Sequence, residues 1–480
     1  MAYTVAQNTS FLTVASVLQK IISFGYFILV ARLIGVENTG QYFFAISFTT
    51  IFTVVADFGF APVLTRETAK YPERSQDYLT TVFSIKFCFG ILTFGLVFLA
   101  TRLLGYGPAL SALIFLSAVT MFFDNLQTSF FSIFRARKNL RYESVVVVLS
   151  QFTTMIIGTV SLLNHAPLIW LIGAYTIPSA LFVLVSIFVV RRVYQLKLRF
   201  HFVPEIARGF ARIAWPFALA GILGRLYSYS DSILMSKLLS PTELGYWSVP
   251  YKITFAFQFI PVALSASVYP AMSSLTVAEP QKIGQLFTKA WRYLFTLVFP
   301  LAFGLMAIAQ PVIIKIYGQA YAPAVPVLRI LLGSLIFSFL AFITGALLNA
   351  TNNQSKQTAV IAMVLIINLA LNFYAIPHWG ILGAAWSAFI SNIILATLGL
   401  YFSQRYIPID KKILIKSCLQ TLWPAALMAV GIYFLTLRIN FFYTIPLGVL
   451  CYGGILWFTK VIDRELVTAL FAKLSSKATL

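Results

Sequence analysis

The chain has 480 residues, of which 60% are hydrophobic and only 10% charged. So few charges cannot cover the surface of a soluble domain this large, which excludes an ordinary globular protein. The net charge of +21 would suit a nucleic-acid binder, but the basic residues are scattered through short loops rather than gathered on one face, so that class is excluded as well.

Apolar runs of about 20 residues recur from end to end, each long enough to cross a ~30 Å hydrocarbon core. Stretches such as 94–100 and 361–371 show no strand alternation, so the fold class is an all-α integral membrane protein and not a barrel. About 14 spans are expected, in chain order at 10–33, 40–61, 82–104, 109–134, 143–163, 168–190, 213–238, 244–272, 290–314, 324–348, 357–376, 381–402, 414–437 and 441–460. The first run is not preceded by the basic region of a cleaved signal, and is read as a true span. Cys88, Cys418 and Cys451 fall inside spans and read as buried apolar residues without a disulfide framework.

Placing the N-terminus in the cytoplasm puts 25 Lys and Arg on inner loops and the C-terminal tail, against 5 on the outer side (Arg32, Arg102, Lys237, Lys315 and Arg438). That bias puts both termini inside, in a cell inner (cytoplasmic) membrane. The longest inner connection, 191–212, alternates basic with apolar residues and is expected to lie on anionic lipid headgroups. The stretch Asp463–Leu474 reads as a short interfacial helix or a solvated tail.

The two halves repeat. Arg32-Leu33-Ile34 with Gly40-Gln41-Tyr42 matches Lys237-Leu238-Leu239 with Gly245-Tyr246-Trp247, at an offset of 237 − 32 = 205. Phe134-Arg135-Ala136 and Asn139 match Leu348-Asn349-Ala350 and Asn353 at 214, and Gly173-Ala174 matches Gly383-Ala384 at 210. Six spans per repeat implies two pseudo-symmetric lobes around a central cavity, related by an axis along the membrane normal. The expected organisation is an N-terminal lobe at 1–190, a basic cytoplasmic linker at 191–212, a second lobe at 213–402, and two additional helices with a tail at 403–480.

At the offset of 205, Lys20 falls on Arg225. A cation near the bilayer centre costs roughly 2.5–3.5 kcal/mol on insertion scales and is kept only where something polar faces it. Lys20 belongs to the stripe Thr13, Ser16, Lys20, Ser23, and Arg225 to Gly221, Arg225, Ser228, Ser232; these 3- and 4-residue steps place each set on one helix face. Lys20, Arg225, Ser16, Ser23, Ser228 and Ser232, with Lys252 as a weaker member, are therefore candidates for binding an anion in a cavity. A structural ion pair is the competing reading for the two cations. Asp57, Asp124 and Asp231 are assigned to gating or ion coupling, with Asp57 and Lys86 also candidates for structural pairing. Asp124 is central enough to need a partner such as Lys20, or to act by protonation. Prolines inside spans (Pro178, Pro216, Pro250, Pro261, Pro270, Pro300 and Pro446) read as kinks. His165, His201 and His378 lie in loops without metal-ligand spacing, and no phosphate-cradling glycine motif is present, so no catalytic residue, metal or cofactor is expected.

Five further groups of residues carry a resemblance: Ala31-Arg32-Leu33-Ile34-Gly35; Asp57-Phe58-Gly59-Phe60 with Arg66-Glu67; Tyr269-Pro270-Ala271-Met272-Ser273-Ser274-Leu275; Tyr317-Gly318-Gln319-Ala320-Tyr321; and Gly380-Ile381-Leu382-Gly383-Ala384-Ala385. Together with the two glycine motifs above and Asp231, the chain resembles the polysaccharide-export flippases of the multidrug/oligosaccharidyl-lipid/polysaccharide exporter superfamily. That resemblance implies a transporter, not an enzyme, which moves an undecaprenyl-linked oligosaccharide from the inner to the outer leaflet by alternating access. The partners it implies are the lipid-linked oligosaccharide, membrane lipids, and a polysaccharide polymerase and glycosyltransferases. A peptidoglycan precursor flippase, a drug/cation antiporter of the same superfamily and a non-transporting membrane assembly factor remain as alternatives.

Overall fold

The computed structural model describes residues 5–275 and 279–459. The stretch Asp463–Leu474 and the basic residues Lys460, Arg464, Lys473 and Lys477 lie outside the described residues. Among those described there is no strand, as lipid requires when each backbone group must be satisfied within its own helix.

Among the described residues twelve helices are long and apolar enough to cross a membrane, where fourteen separate spans were expected. The difference arises in α1 (Val5–Asp57) and α13 (Gln354–Ser403), which run on through positions where the sequence suggests short loops. Each is broken only at a glycine: Gly35 at φ 79°, ψ 172°, and Gly380 at φ 55°, ψ −137°. Those angles are open to glycine and strained for other residues, so one residue replaces a turn.

By packing, the chain divides into two compact units, Met1–Ser248 with Leu369–Ile381, and Val249–Asn368 with Leu382–Leu480. The first unit holds α1, α2 (Phe60–Lys70), α3 (Ser75–Leu103), α4 (Pro108–Ala136), α5 (Arg141–Leu163), α6 (Ile169–Val193) and α7 (Pro204–Leu238). Phe60, Leu64, Phe83, Phe130, Phe134 and Phe210 form the centre of one continuous apolar cluster. Polar pairs lace α4 to α6: Thr120 Oγ1 and Thr176 Oγ1 at 2.7 Å, and Gln127 Nε2 donating to Ser186 Oγ at 2.6 Å. Interhelical bonds of this kind are worth about 0.6–2 kcal/mol in a membrane. The start of α1 is tied down reciprocally, since Asn8 Nδ2 donates to the Lys138 carbonyl and Asn8 Oδ1 accepts from the Leu140 amide.

The connection between α6 and α7 is tied to α3 at several points. Leu196 is buried, Gln76 and Lys197 exchange side-chain-to-backbone hydrogen bonds of 2.5 and 2.8 Å, and Phe200 sits 5.2 Å from the ring of Phe87. Arg191, Arg192, Lys197 and Arg199 stay exposed. Leu196 and the Gln76–Lys197 bonds thus tie this segment to the bundle, while Phe200, Phe202 and the cations stay exposed.

The helix α8 (Pro241–Phe257) begins with a reciprocal cap: the Ser240 amide donates to Glu243 Oε2 and the Glu243 amide to Ser240 Oγ. This is the capping-box pattern, with proline at the first helical position. The second unit packs α9 (Phe259–Ser274), α10 (Pro280–Ala307), the single turn α11 (Ala309–Val312), α14 (Lys411–Thr436) and α15 (Phe441–Phe458) with α12 (Ala324–Ala350). The centre of this unit is α12, in which Leu328, Leu332, Phe339, Ile343 and Leu347 are fully buried. Asn392 of α13 donates to Ser334 of α12 at 2.8 Å.

The ends of α4 and α12 repeat bond for bond. Arg137, Lys138 and Asn139 donate their amides to Ile133, Arg135 and Phe134 at 3.0, 3.0 and 2.9 Å; Thr351, Asn352 and Asn353 do the same to Leu347, Asn349 and Leu348 at 3.0, 3.2 and 2.7 Å. Every pair is offset by 214, and in each turn the middle residue is left-handed, Lys138 at φ 54° and Asn352 at φ 61°. The cysteines correct one expectation: Cys88 and Cys451 are exposed, and Cys418 is half-buried. In a membrane protein the outer faces of helices are themselves apolar, so an apolar residue inside a span need not be inside the bundle.

Candidate functional site

Lys20 and Arg225 lie in the same unit, on α1 and α7. Each stands fifteen residues before a helix break: 35 − 20 = 15 to Gly35, and 240 − 225 = 15 to Ser240, which follows the end of α7. At ~1.5 Å per residue both are about 22 Å from that end, inside a ~30 Å core. Lys20 is exposed, with Ser16 and Ser23 half-buried on the same face. Arg225 is half-buried, as is Ser228, whose hydroxyl bonds back to the Gly224 carbonyl at 2.9 Å.

The face of α7 that bears Arg225 is turned toward the second segment of α1. One turn before Arg225, a Cβ on Gly221 would stand 2.8 Å from Val54 Cγ1. Farther along the same face, Ser232 is buried. Asp231 is buried as well, and accepts a 2.7 Å hydrogen bond from Asn372 Nδ2 of α13. Lys252 belongs to the second unit and is half-buried on α8. Two cations flanked by hydroxyl groups suit an anion with several oxygen acceptors, such as a phosphate ester.

The other charges inside spans are differently placed. Lys86 is fully buried and pairs with Asp57 at 2.7 Å; it also donates to Thr128 Oγ1. Asn125 Nδ2 adds bonds to the carbonyls of Ala56 and Lys86, at 3.2 and 3.3 Å. This network pins the break after α1, where Phe58 and Gly59 are left-handed at φ 46° and 73°. A bulky residue held at positive φ is strained by about 1–3 kcal/mol and needs such support. Asp124 is exposed, and its partner is Ser179 Oγ at 2.6 Å rather than Lys20; α4 packs on α6, which brings the α6 hydroxyl to the carboxylate.

Sequence reasoning missed Asn372, Thr128, Asn125 and Ser179 as partners of these charges. Asn372 is 141 residues from Asp231 in the chain, and no local pattern joins them. The capping box at Ser240 and Glu243 was visible as Ser-Pro-Thr-Glu before an apolar run.

Comparison with known proteins agrees with the fold. The solved structure of the lipid II flippase MurJ in an inward closed conformation superposes with a TM-score of 0.76, covering 95% of this chain and 99% of that one at 19% identity. The probable low-salt glycan biosynthesis flippase Agl15 of Haloferax volcanii is 23% identical over 192 residues, which is 40% of this chain and 41% of that protein. The putative O-antigen transporter of Shigella flexneri is 26% identical over 184 residues, 38% of this chain and 43% of that protein. These matches span less than half the length of the curated relatives concerned. The family model described as polysaccharide biosynthesis protein matches residues 5–276, more than half of the chain, and this protein therefore belongs to the polysaccharide biosynthesis protein family.

Proposed function

We propose that this protein is a flippase which carries a polyprenyl-diphosphate-linked oligosaccharide from the cytoplasmic to the outer leaflet for cell-surface polysaccharide biosynthesis. The observation that carries the reading is the pair Lys20 and Arg225, at equal depth on helices that the repeat makes equivalent. In this reading the two cations hold the diphosphate, Ser16, Ser23, Ser228 and Ser232 face the sugars, and Lys252 adds positive charge. Asp57, Asp124 and Asp231 serve gating or ion coupling.

The architecture proposed with it has lobes at 1–190 and 213–402 that rock about a shared cavity, a linker at 191–212, and an appended pair of helices at 403–480. The matching helix ends at Lys138 and Asn352 support such a repeat. Taking each glycine-broken helix as two crossings gives 12 + 2 = 14 crossings. An even number returns the chain to the side on which it started, and the excess of cations there makes it the cytoplasm. Moving about two negative charges outward, down an inside-negative potential, releases roughly 4–5 kcal/mol at ~100 mV, so export has a favourable electrical term. Glycosyltransferases and a polymerase would act before and after the step.

Proteoliposomes loaded with a polyprenyl-diphosphate oligosaccharide test this. Lys20→Ala and Arg225→Ala, each at normal folded yield, are expected to abolish leaflet translocation; full rates in both would overturn the site assignment. Absence of translocation by the unmodified protein would favour an assembly factor instead. The exposed carboxylate of Asp124 is the observation that favours a drug/cation antiporter, and cation-driven efflux lost in Asp124→Asn would establish it. Equal transport of a peptidoglycan precursor would widen the substrate class.

A further inference from the structure

The second segment of α1 and the start of α8 meet backbone against backbone. A Cβ on Gly40 would overlap the Pro241 carbonyl oxygen and stand 2.7 Å from the Gly245 nitrogen; a Cβ on Gly245 would overlap the Val36 carbonyl oxygen and stand 2.7 Å from Val36 Cγ1. Both glycines are buried. Only a hydrogen in place of a side chain permits this approach.

The two contacts are one contact made twice, since 36 + 205 = 241 and 40 + 205 = 245. When residue i of one half touches j of the other, and j of the first touches i of the second, a twofold axis passes between them. The next pair at the same offset, Tyr42 and Trp247, is buried in each helix at 2% and 1% exposure. The pseudo-twofold axis of the repeat therefore runs through the seam between Gly40 and Gly245. Close by, Lys237 donates to the Leu104 carbonyl and sits 3.7 Å over the Tyr106 ring, whose hydroxyl pairs with Ser236 at 2.8 Å. These contacts fix the end of α7 from which α8 departs.

We infer that the Gly40–Gly245 seam is the closure of the outer face, a contact that must part each time substrate leaves. The reasoning is geometric. A cargo leaving along the axis of a two-lobed carrier passes the point where the axis is occupied, and here two helix backbones occupy it. Lys20 and Arg225 lie about 22 Å from the same end of their helices. The glycines let the seam close tightly while leaving it to be opened by separating two smooth helix surfaces. A methyl group on either would wedge it and shift the balance toward the outward-open state.

This inference rests on the flippase reading, so its test carries a readout independent of substrate. In a background lacking Cys88, Cys418 and Cys451, the Ser23→Cys variant is labelled with a membrane-impermeant maleimide added from outside, as a probe of access only. Gly40→Ala and Gly245→Ala are expected to raise the labelling rate about tenfold. With Ser23 intact, Val36→Cys with Pro241→Cys, joined by a short bifunctional methanethiosulfonate, is expected to stop translocation until reduced. Unchanged labelling in both well-folded alanine variants would overturn the inference. So would full translocation by the cross-linked protein, which also decides the matter if the alanine variants fold poorly. If the unmodified protein moves no lipid-linked glycan while labelling responds as expected, the substrate reading fails and the seam stands.

Discussion

Two groups of cations sit at membrane depth in the same unit and are treated in opposite ways. Lys86 is fully buried, paired with Asp57 and surrounded by Thr128 and Asn125. Lys20 is exposed and Arg225 half-buried, each on a stripe of small hydroxyl side chains. The first arrangement consumes its charge within the protein and holds a strained break between α1 and α2. The second places its side chains on exposed or half-buried helix faces. Sequence position alone does not separate these cases, because all three residues interrupt apolar runs. What separates them is burial: Lys86 is enclosed and paired with Asp57, while Lys20 and Arg225 keep part of their surface open.

The comparison is broken most directly at Lys86. Lys86→Met leaves Asp57 uncompensated and is expected to cost about 3–5 kcal/mol, read as a fall in melting temperature and in folded yield. Pairing it with Asp57→Asn should recover most of the loss, whereas Lys20→Met should change the stability by no more than ~0.5 kcal/mol. A loss at Lys20 as large as that at Lys86 would erase the distinction. Next in size, Asn372→Ala removes the donor to buried Asp231 and should cost about 1.5–3 kcal/mol, measured by the same melting assay. The smallest effect is expected at Ser179→Ala. Its acceptor Asp124 is exposed and, among the described residues, no other hydrogen bond builds a buried network around it, so the change should stay below about 1.5 kcal/mol. A larger loss would move Asp124 into the class of Asp57.

Much of the helical layout was legible from apolar run length, because the bilayer imposes one scale on every span. The paired positions Gly40 and Gly245 were legible as matching motifs, and each sits where a side chain would clash. The loops at 34–39 and 377–380 were misread: a single glycine with the right angles is indistinguishable in composition from a short turn. Partners were hidden for a different reason. Asp57 and Lys86 were both visible as charges, but the carboxylate that Ser179 meets and the amide that Asp231 meets are set by helix packing, which no local periodicity reports. The exposure of Cys88 and Cys451 was hidden because lipid and protein interior ask for the same kind of side chain.

The break at Gly35 also limits how this protein can be handled in the laboratory. With no turn between the two segments of α1, an epitope tag or protease site placed there would have to unwind helix on both sides. The exposed turn at Asn164–His165 has slack of its own and is the natural position for a topology reporter. Insertions at these two points should therefore behave differently although both lie between apolar spans: one should report on which side of the membrane it sits, and the other should report only that folding has failed.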